Sequence, residues 1–177
     1  IGSGLVGSEM CIRDRIYMKY DALFTPFKIG NMEVKNRFVM APMGTNSSHI
    51  DGCIANDEID YFEARAKGGV GLIIMGCQFL NPDLAQGSLE GILQNSYVIP
   101  QLTTVVEATH RWGAKICCQI SCGTGRNAFP NMYGEPPFSS SDTPSTFNPE
   151  MKCRPLSKED IKKIMTEFAN SLSLIHI

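Results

Sequence analysis

The sequence predicts an α/β fold in which buried parallel strands alternate with amphipathic helices, and three observations carry that expectation. The strand-like segments are continuous apolar runs, Phe38-Val-Met-Ala-Pro-Met43, Val70-Gly-Leu-Ile-Ile-Met75 and Ala114-Lys-Ile-Cys-Cys-Gln-Ile120. Continuous rather than alternating runs suit a parallel sheet covered on both faces. Helical periodicity fills the gaps between them, so the order is strand, helix, strand, helix, strand, helix, with right-handed crossovers. A short hairpin signal precedes the first run.

Taken in order, Phe27-Lys-Ile-Gly-Asn-Met-Glu-Val34 alternates around Gly30-Asn31, the pattern of a hairpin. The first helix is expected to start with Asn56 as N-cap, with Asp57 and Glu58 suited to its positive first turn. Ile59, Phe62 and Ala66 recur on one face, and Gly68-Gly69 closes it. A second helix follows Pro100 through Leu102, Val105, Val106 and Thr109 to Gly113. In the third, Ser157 and Asp160 form a capping box ahead of an apolar stripe of Ile161, Ile164, Met165 and Phe168. Doubly wound sheets and (β/α)8 barrels share this rhythm, and periodicity does not choose between them. The initial hairpin favours a barrel, whose bottom opening it would plug.

From Ser121 to Pro155 there is no period, only Gly, Pro, Ser, Asn and Thr with scattered aromatics. A segment this long inside a compact domain reads as a lid or binding loop. It leaves the carboxyl end of the third strand, where barrel enzymes place their chemistry.

With 177 residues, a formal net charge of −2 and 43% hydrophobic composition, the chain reads as one globular domain or part of a larger one. Its charges are balanced and interspersed, so neither nucleic acid nor a membrane surface is an expected partner. No apolar run reaches the ~18 residues of a membrane span. The seven cysteines are irregularly spaced. Cys117 and Cys118 lie in an apolar run and are expected to be buried, reduced thiols. Cys118 and Cys122 have no second pair to complete a metal site, so none is expected.

Both ends look foreign. Leu172-Ser-Leu-Ile-His-Ile177 is the translation of CTG TCT CTT ATA CAC ATC. The opposite strand of that DNA contains ATG TGT ATA AGA GAC, which encodes Met10-Cys-Ile-Arg-Asp14. One DNA element in two orientations explains both, and it resembles the mosaic end of a sequencing-library transposon. Residues 1–17 and 171–177 are therefore expected to be non-native tails, with residues 18–170 the native segment. Met18 becomes the expected start, no secretory h-region follows it, and a cytoplasmic location is expected.

Leu23-Phe-Thr-Pro-Phe-Lys-Ile-Gly-Asn-Met-Glu-Val-Lys-Asn-Arg-Phe-Val-Met-Ala-Pro-Met43 resembles the opening of the Old Yellow Enzyme (NADH:flavin oxidoreductase) family. Arg65-Ala-Lys-Gly-Gly-Val-Gly-Leu-Ile-Ile74 resembles its second unit, and Ala108-Thr-His-Arg-Trp-Gly-Ala-Lys115 leading to Gln119 its third. The likeness covers residues 18–170 and looks nearest to 2,4-dienoyl-CoA reductases, enoate reductases and bile-acid oxidoreductases. It implies the N-terminal portion of a (β/α)8 TIM barrel, about three β/α units plus a bottom hairpin. Many relatives carry a histidine where Cys122 stands, and Arg126 falls one residue late.

The resemblance also implies a cofactor edge. Pro42, Met43 and Gly44 end the first strand against an FMN ring, proline releasing the strand without needing a ladder hydrogen bond. Relatives often carry threonine or cysteine where Gly44 stands, so tuning would pass to Thr45 or to backbone groups. Gly76, read as the end of the second strand, would let the flavin approach the backbone. Gln119 offers donor and acceptor to the flavin pyrimidine edge, and an amide on an apolar strand needs partners. His110, His49 and Arg37 read as structural or solvated. Arg126 would meet substrate or lid, and Phe129, Tyr133 and Phe138 would line a pocket or pin the loop.

The implied activity of the parent is FMN-dependent, NAD(P)H-driven reduction of an activated C=C bond, an enone or enoyl thioester. The alternatives are amine dehydrogenation on the same scaffold, or a non-catalytic fragment or binding protein. Catalytic residues are not assigned, because the substrate-anchoring His/Asn pair and the proton-donating tyrosine fall beyond Asn170 in this resemblance. A 4Fe-4S cluster and FAD, where present, would belong to that later part as well.

Overall fold

The structure is a computed structural model that describes residues 20–85, 87–94 and 96–176. The tail expected at 1–17 and the Met18 start lie outside the described residues.

Strands β1 (Phe27–Ile29) and β2 (Met32–Val34) pair antiparallel across Gly30 and Asn31, as the alternation predicts. Gly30 takes a φ of 59°, which a two-residue hairpin turn demands and an L side chain resists. The hairpin then runs beneath the sheet. Val34 is fully buried, and the space a Cβ on Gly71 would need is filled by Asn36 and Val34. Lys35 Nζ donates to the Trp112 carbonyl at 2.6 Å. These contacts fix the hairpin at the amino ends of the next strands, the floor position expected of it.

Strands β3 (Val39–Met40), β4 (Leu72–Phe79) and β5 (Lys115–Ser121) form a parallel sheet in that order. Helices α1 (Asn56–Lys67) and α2 (Ile99–His110) cover one face. Phe62 and Ala66 of α1, Val105 of α2, and Ile73 and Met75 of β4 make the core between them. Phe62 is 0% exposed, a burial that stabilises by ~1.5–3 kcal/mol. The other face is open. Cys117 and Gln119 of β5 are exposed, which corrects the expectation of a sheet buried on both sides and of a buried Cys117 thiol. The reason is topological: among the described residues β3 and β5 have no further strand beyond them.

Helix boundaries differ in one place. Ala55, extended at φ −83° and ψ 161°, is the N-cap of α1, and no side chain caps it. Asn56 is already helical, one residue too late for its side chain to reach the free amides of the first turn. Helix α3 (Lys158–Ile175) has the predicted capping box, with Ser157 and Asp160 each accepting from the other's backbone N–H. Its apolar stripe is largely uncovered, with Ile161 and Met165 exposed. The helix runs on through Leu172 to Ile175, residues the sequence sets apart as a tail. Ser171 is buried and donates to the Leu93 carbonyl at 3.3 Å, and Leu174 and Ile175 pack near Cys53, Leu93 and Val98.

The aperiodic segment between β5 and α3 holds two short strands, β6 (Phe138–Ser139) and β7 (Arg154–Pro155), paired in parallel. Two residues are too few to leave a period in the sequence. Among the described residues no helix is long and apolar enough to cross a membrane.

Candidate functional site

The chain leaves β3 through Ala41 and Pro42, and proline's missing N–H ends the ladder there. Met43 and Gly44 continue as exposed backbone across the carboxyl end of the sheet. Gly76 lies against them: a Cβ there would stand 2.5 Å from the Met43 carbonyl oxygen and 3.0 Å from the Gly44 Cα. Glycine is therefore required at 76 by the approach of one backbone to another. This corrects its placement. Gly76 is buried inside β4, which continues to Phe79, rather than standing at the strand end.

The reason β4 outruns the sequence reading is a bulge. Ile74 pairs with Cys117 and Cys77 with Gln119, so Met75 and Gly76 together oppose Cys118. A bulge re-aims the side chains that follow it. Here it brings Cys77, rather than Gly76, beside Gln119, and the Cys77 thiol donates to Gln119 Oε1 at 3.4 Å. Burial, with Glu90 nearby, pushes the Cys77 thiol up, keeping it a protonated donor. The Gln119 amide NH2 is left as a donor on the open face. Of the sequence candidates, Pro42, Met43, Gly44, Gly76 and Gln119 are thus gathered on one rim.

Behind that rim lies a feature the sequence did not announce. The segment 88–93 is threaded between the loop after β3 and the end of β4. Ser48 N–H donates to Leu89 O at 3.0 Å, Ile92 N–H to Gly52 O at 3.0 Å, and Phe79 N–H to Gly91 O at 2.8 Å. It carries Glu90, 5% exposed, whose Oε1 accepts the Asn46 N–H at 3.0 Å. Glu58 of α1, 1% exposed, accepts from Ser48 Oγ at 2.8 Å. Burial pushes both carboxyls above the usual carboxylate range; Ser48 works against it at Glu58 and Asn46 at Glu90, where Glu58 adds to the rise. Glu58 left a trace in the sequence, since it stands four residues before Phe62 and eight before Ala66, on the core face. Glu90 left none, lying in an aperiodic stretch.

The remaining candidates are elsewhere. His49 and His110 are exposed, and Arg37 lies over the Phe27 ring at 5.2 Å, by the hairpin. Arg126 is exposed on the long loop. The loop aromatics pin it: Phe129 stacks on Phe147 at 4.1 Å, and the Arg154 guanidinium lies 4.1 Å over Phe138. Tyr133 is exposed. Cys122 meets Thr124 Oγ1 at 3.1 Å. Burial pushes the Cys118 thiol up to about 12, so it is no nucleophile at neutral pH. Among the described residues there is no group of three or more His, Cys, Asp or Glu able to hold a metal ion.

Residues 22–174 match the NADH:flavin oxidoreductase / NADH oxidase family. The chain belongs to that family. It is 33% identical over 161 residues to a cinnamate reductase of Clostridium sporogenes, covering 88% of this chain and 24% of the relative. It is 35% identical over 153 residues to an NADH oxidase of Thermoanaerobacter brockii, covering 84% and 23%. The chain thus spans about a quarter of the length of the curated relatives it matches. In fold it is similar to Old Yellow Enzyme from Pichia sp. AKU4542, with a TM-score of 0.77 and 23% identity over 87% of this chain and 42% of that one.

Proposed function

We propose that residues 18–170 are the first part of an FMN-holding (β/α)8 barrel in a longer oxidoreductase that uses NAD(P)H to reduce an activated carbon–carbon double bond in a small molecule. The observation that carries this reading is the meeting of Met43-Gly44, Gly76 and Gln119 on one rim at the carboxyl end of a parallel sheet. Ligands of such sheets bind at that end.

The residues present fit a flavin. Exposed Met43-Gly44 backbone offers a flat edge without a side chain at 44, and the Gln119 amide offers donors beside it. Glu90 Oε2 is a buried oxygen with no hydrogen-bond partner directly behind Gly44. When bound, the flavin supplies two-electron chemistry; this chain's residues supply its position and local charge. The Cys77 thiol fixes the Gln119 carboxamide so that its NH2, not its oxygen, is available to the cofactor. The name cinnamate reductase among the relatives supports an enoate, enone or enoyl thioester as substrate. Proton donor and substrate anchors are assigned to the part of the barrel beyond Asn170, as are any 4Fe-4S cluster and FAD. We place the protein in the cytoplasm, as the sequence leads us to expect.

The test is to recover the reading frame beyond Asn170 from the source DNA, without the terminal hexapeptide, and purify the full-length protein. Stoichiometric FMN and NAD(P)H-dependent reduction of a cinnamate-type double bond are expected. A protein without flavin overturns the reading, and one whose flavin is reduced by a secondary amine replaces it with a dehydrogenase.

A further inference from the structure

Gly44 and Glu90 occupy one volume. A Cβ on Gly44 would stand 2.5 Å from Glu90 Oε1 and 3.3 Å from its carboxyl carbon. Gly44 has no positive φ, so its backbone does not require glycine; what a Cβ there would meet is the carboxyl behind it, which would have to move. Glu90 is held there. Its Oε1 accepts the N–H of Asn46, which is the one non-glycine residue with positive φ among the described residues, at 51°. That conformation costs an L residue free energy unless its surroundings fix it, and the Glu90 bond fixes it. The groups facing Glu90 are Glu58 from α1, Cys77 from β4 and the Thr45 and Asn46 amides from the rim loop. None is a cation. Its second oxygen is buried and unpartnered.

We propose that Glu90 is a positioning residue of the rim: it stands in for the side chain that Gly44 lacks and clamps the Asn46 turn directly behind the cofactor edge. This rests on the flavin reading above. Its carboxyl fills the volume behind Gly44 and its Oε1 holds the Asn46 N–H, so the Met43-Gly44 backbone is kept in shape where a flavin would lie.

Two measurements on the full-length protein test the two halves. The first needs no cofactor. Gly44→Ala should lower the urea midpoint in the wild-type background and leave it nearly unchanged when combined with Glu90→Ala, because the clash then has no partner. An equal loss in both backgrounds overturns the shared volume and the clamp. The second is the retention of bound flavin. Glu90→Gln keeps the shape and the acceptor for Asn46 and should hold flavin as the wild type does, whereas Glu90→Ala should weaken retention about tenfold, the scale of one lost buried hydrogen bond. A Glu90→Ala protein that retains flavin like the wild type, or a Glu90→Gln protein that loses it equally, overturns the positioning role. A wild-type protein that binds no flavin overturns the functional reading and this role together, while the urea coupling still decides the clamp.

Discussion

At the scale of single residues, the group whose burial is least expected is Glu58. An acid in the first turn of a helix ordinarily gains from the macrodipole while staying in water. Here it is turned onto the core face beside Phe62, where the Ser48 hydroxyl donates to it and Thr45 also works against the burial. Because burial raises its pKa in the folded state, the folded protein binds this proton more tightly than the unfolded chain. The linked stability is fully present below the unfolded value near 4.5 and is lost as pH rises through the raised folded value. Glu58→Gln should therefore flatten the fall in melting temperature between mildly acidic and neutral pH in the full-length protein. Parallel pH slopes in the two proteins would sink the assignment. Glu58→Ala is the harsher change, since it also orphans Ser48 Oγ, and is expected to cost ~1–3 kcal/mol. Gln119 was legible in the sequence for the converse reason: a carboxamide in an apolar strand stands out against its neighbours. Glu58 was legible only through its spacing to Phe62 and Ala66, and Glu90 was not, since a carboxylate in a helix start or a loop is where solvated acids usually lie.

At the scale of elements, β4 shows where periodicity stops being informative. Leu72 to Met75 read as strand because they are apolar, and Gly76 reads as a stop because glycine usually punctuates. The bulge reverses that meaning. It consumes Gly76 inside the strand, and the register resumes with Cys77 opposite Gln119. A bulge depends on which partner strand is present, which no local window contains. Gly76→Ala should expose this. Its Cβ would collide with the Met43 carbonyl, a backbone group that cannot swing aside as a side chain would. Overpacking of this kind costs ~1–3 kcal/mol. The full-length protein should show that loss in urea titration together with weaker flavin retention, since the rim moves with the strand. Unchanged stability would mean the two backbones are not pressed together. By contrast the capping box of α3 was fully legible, because both partners lie within four residues. Bonds from Ser157 hold the Asp160 carboxyl below the usual carboxylate range. The stability linked to it is present above the ordinary value of 3.8 and is lost as pH falls through the lowered one.

At the scale of the whole molecule, the three strands and three helices stand in the order the sequence predicts, yet the object they make has a bare side. The helix-covered face holds Phe62, Ile73, Met75 and Val105, while the face carrying Gln119 is open and α3 leaves Ile161 and Met165 in solvent. Periodicity could predict that each strand has two apolar faces, but not that only one finds a cover among these residues. A ligand site normally surrounds most of its ligand's surface, and a single open sheet edge with one amide donor touches only a fraction of a flavin. Apolar area left facing water also forgoes the ~25 cal/mol per Å2 that burial would contribute, at a scale where net stability is only ~5–15 kcal/mol. The 177-residue chain by itself is therefore expected to bind a hydrophobic dye strongly and to elute from gel filtration without flavin absorbance. The full-length protein should show the reverse on both counts. Stoichiometric FMN on the short chain would mean that the rim of Met43-Gly44, Gly76 and Gln119 suffices to hold the cofactor, and that the remaining barrel serves catalysis rather than binding.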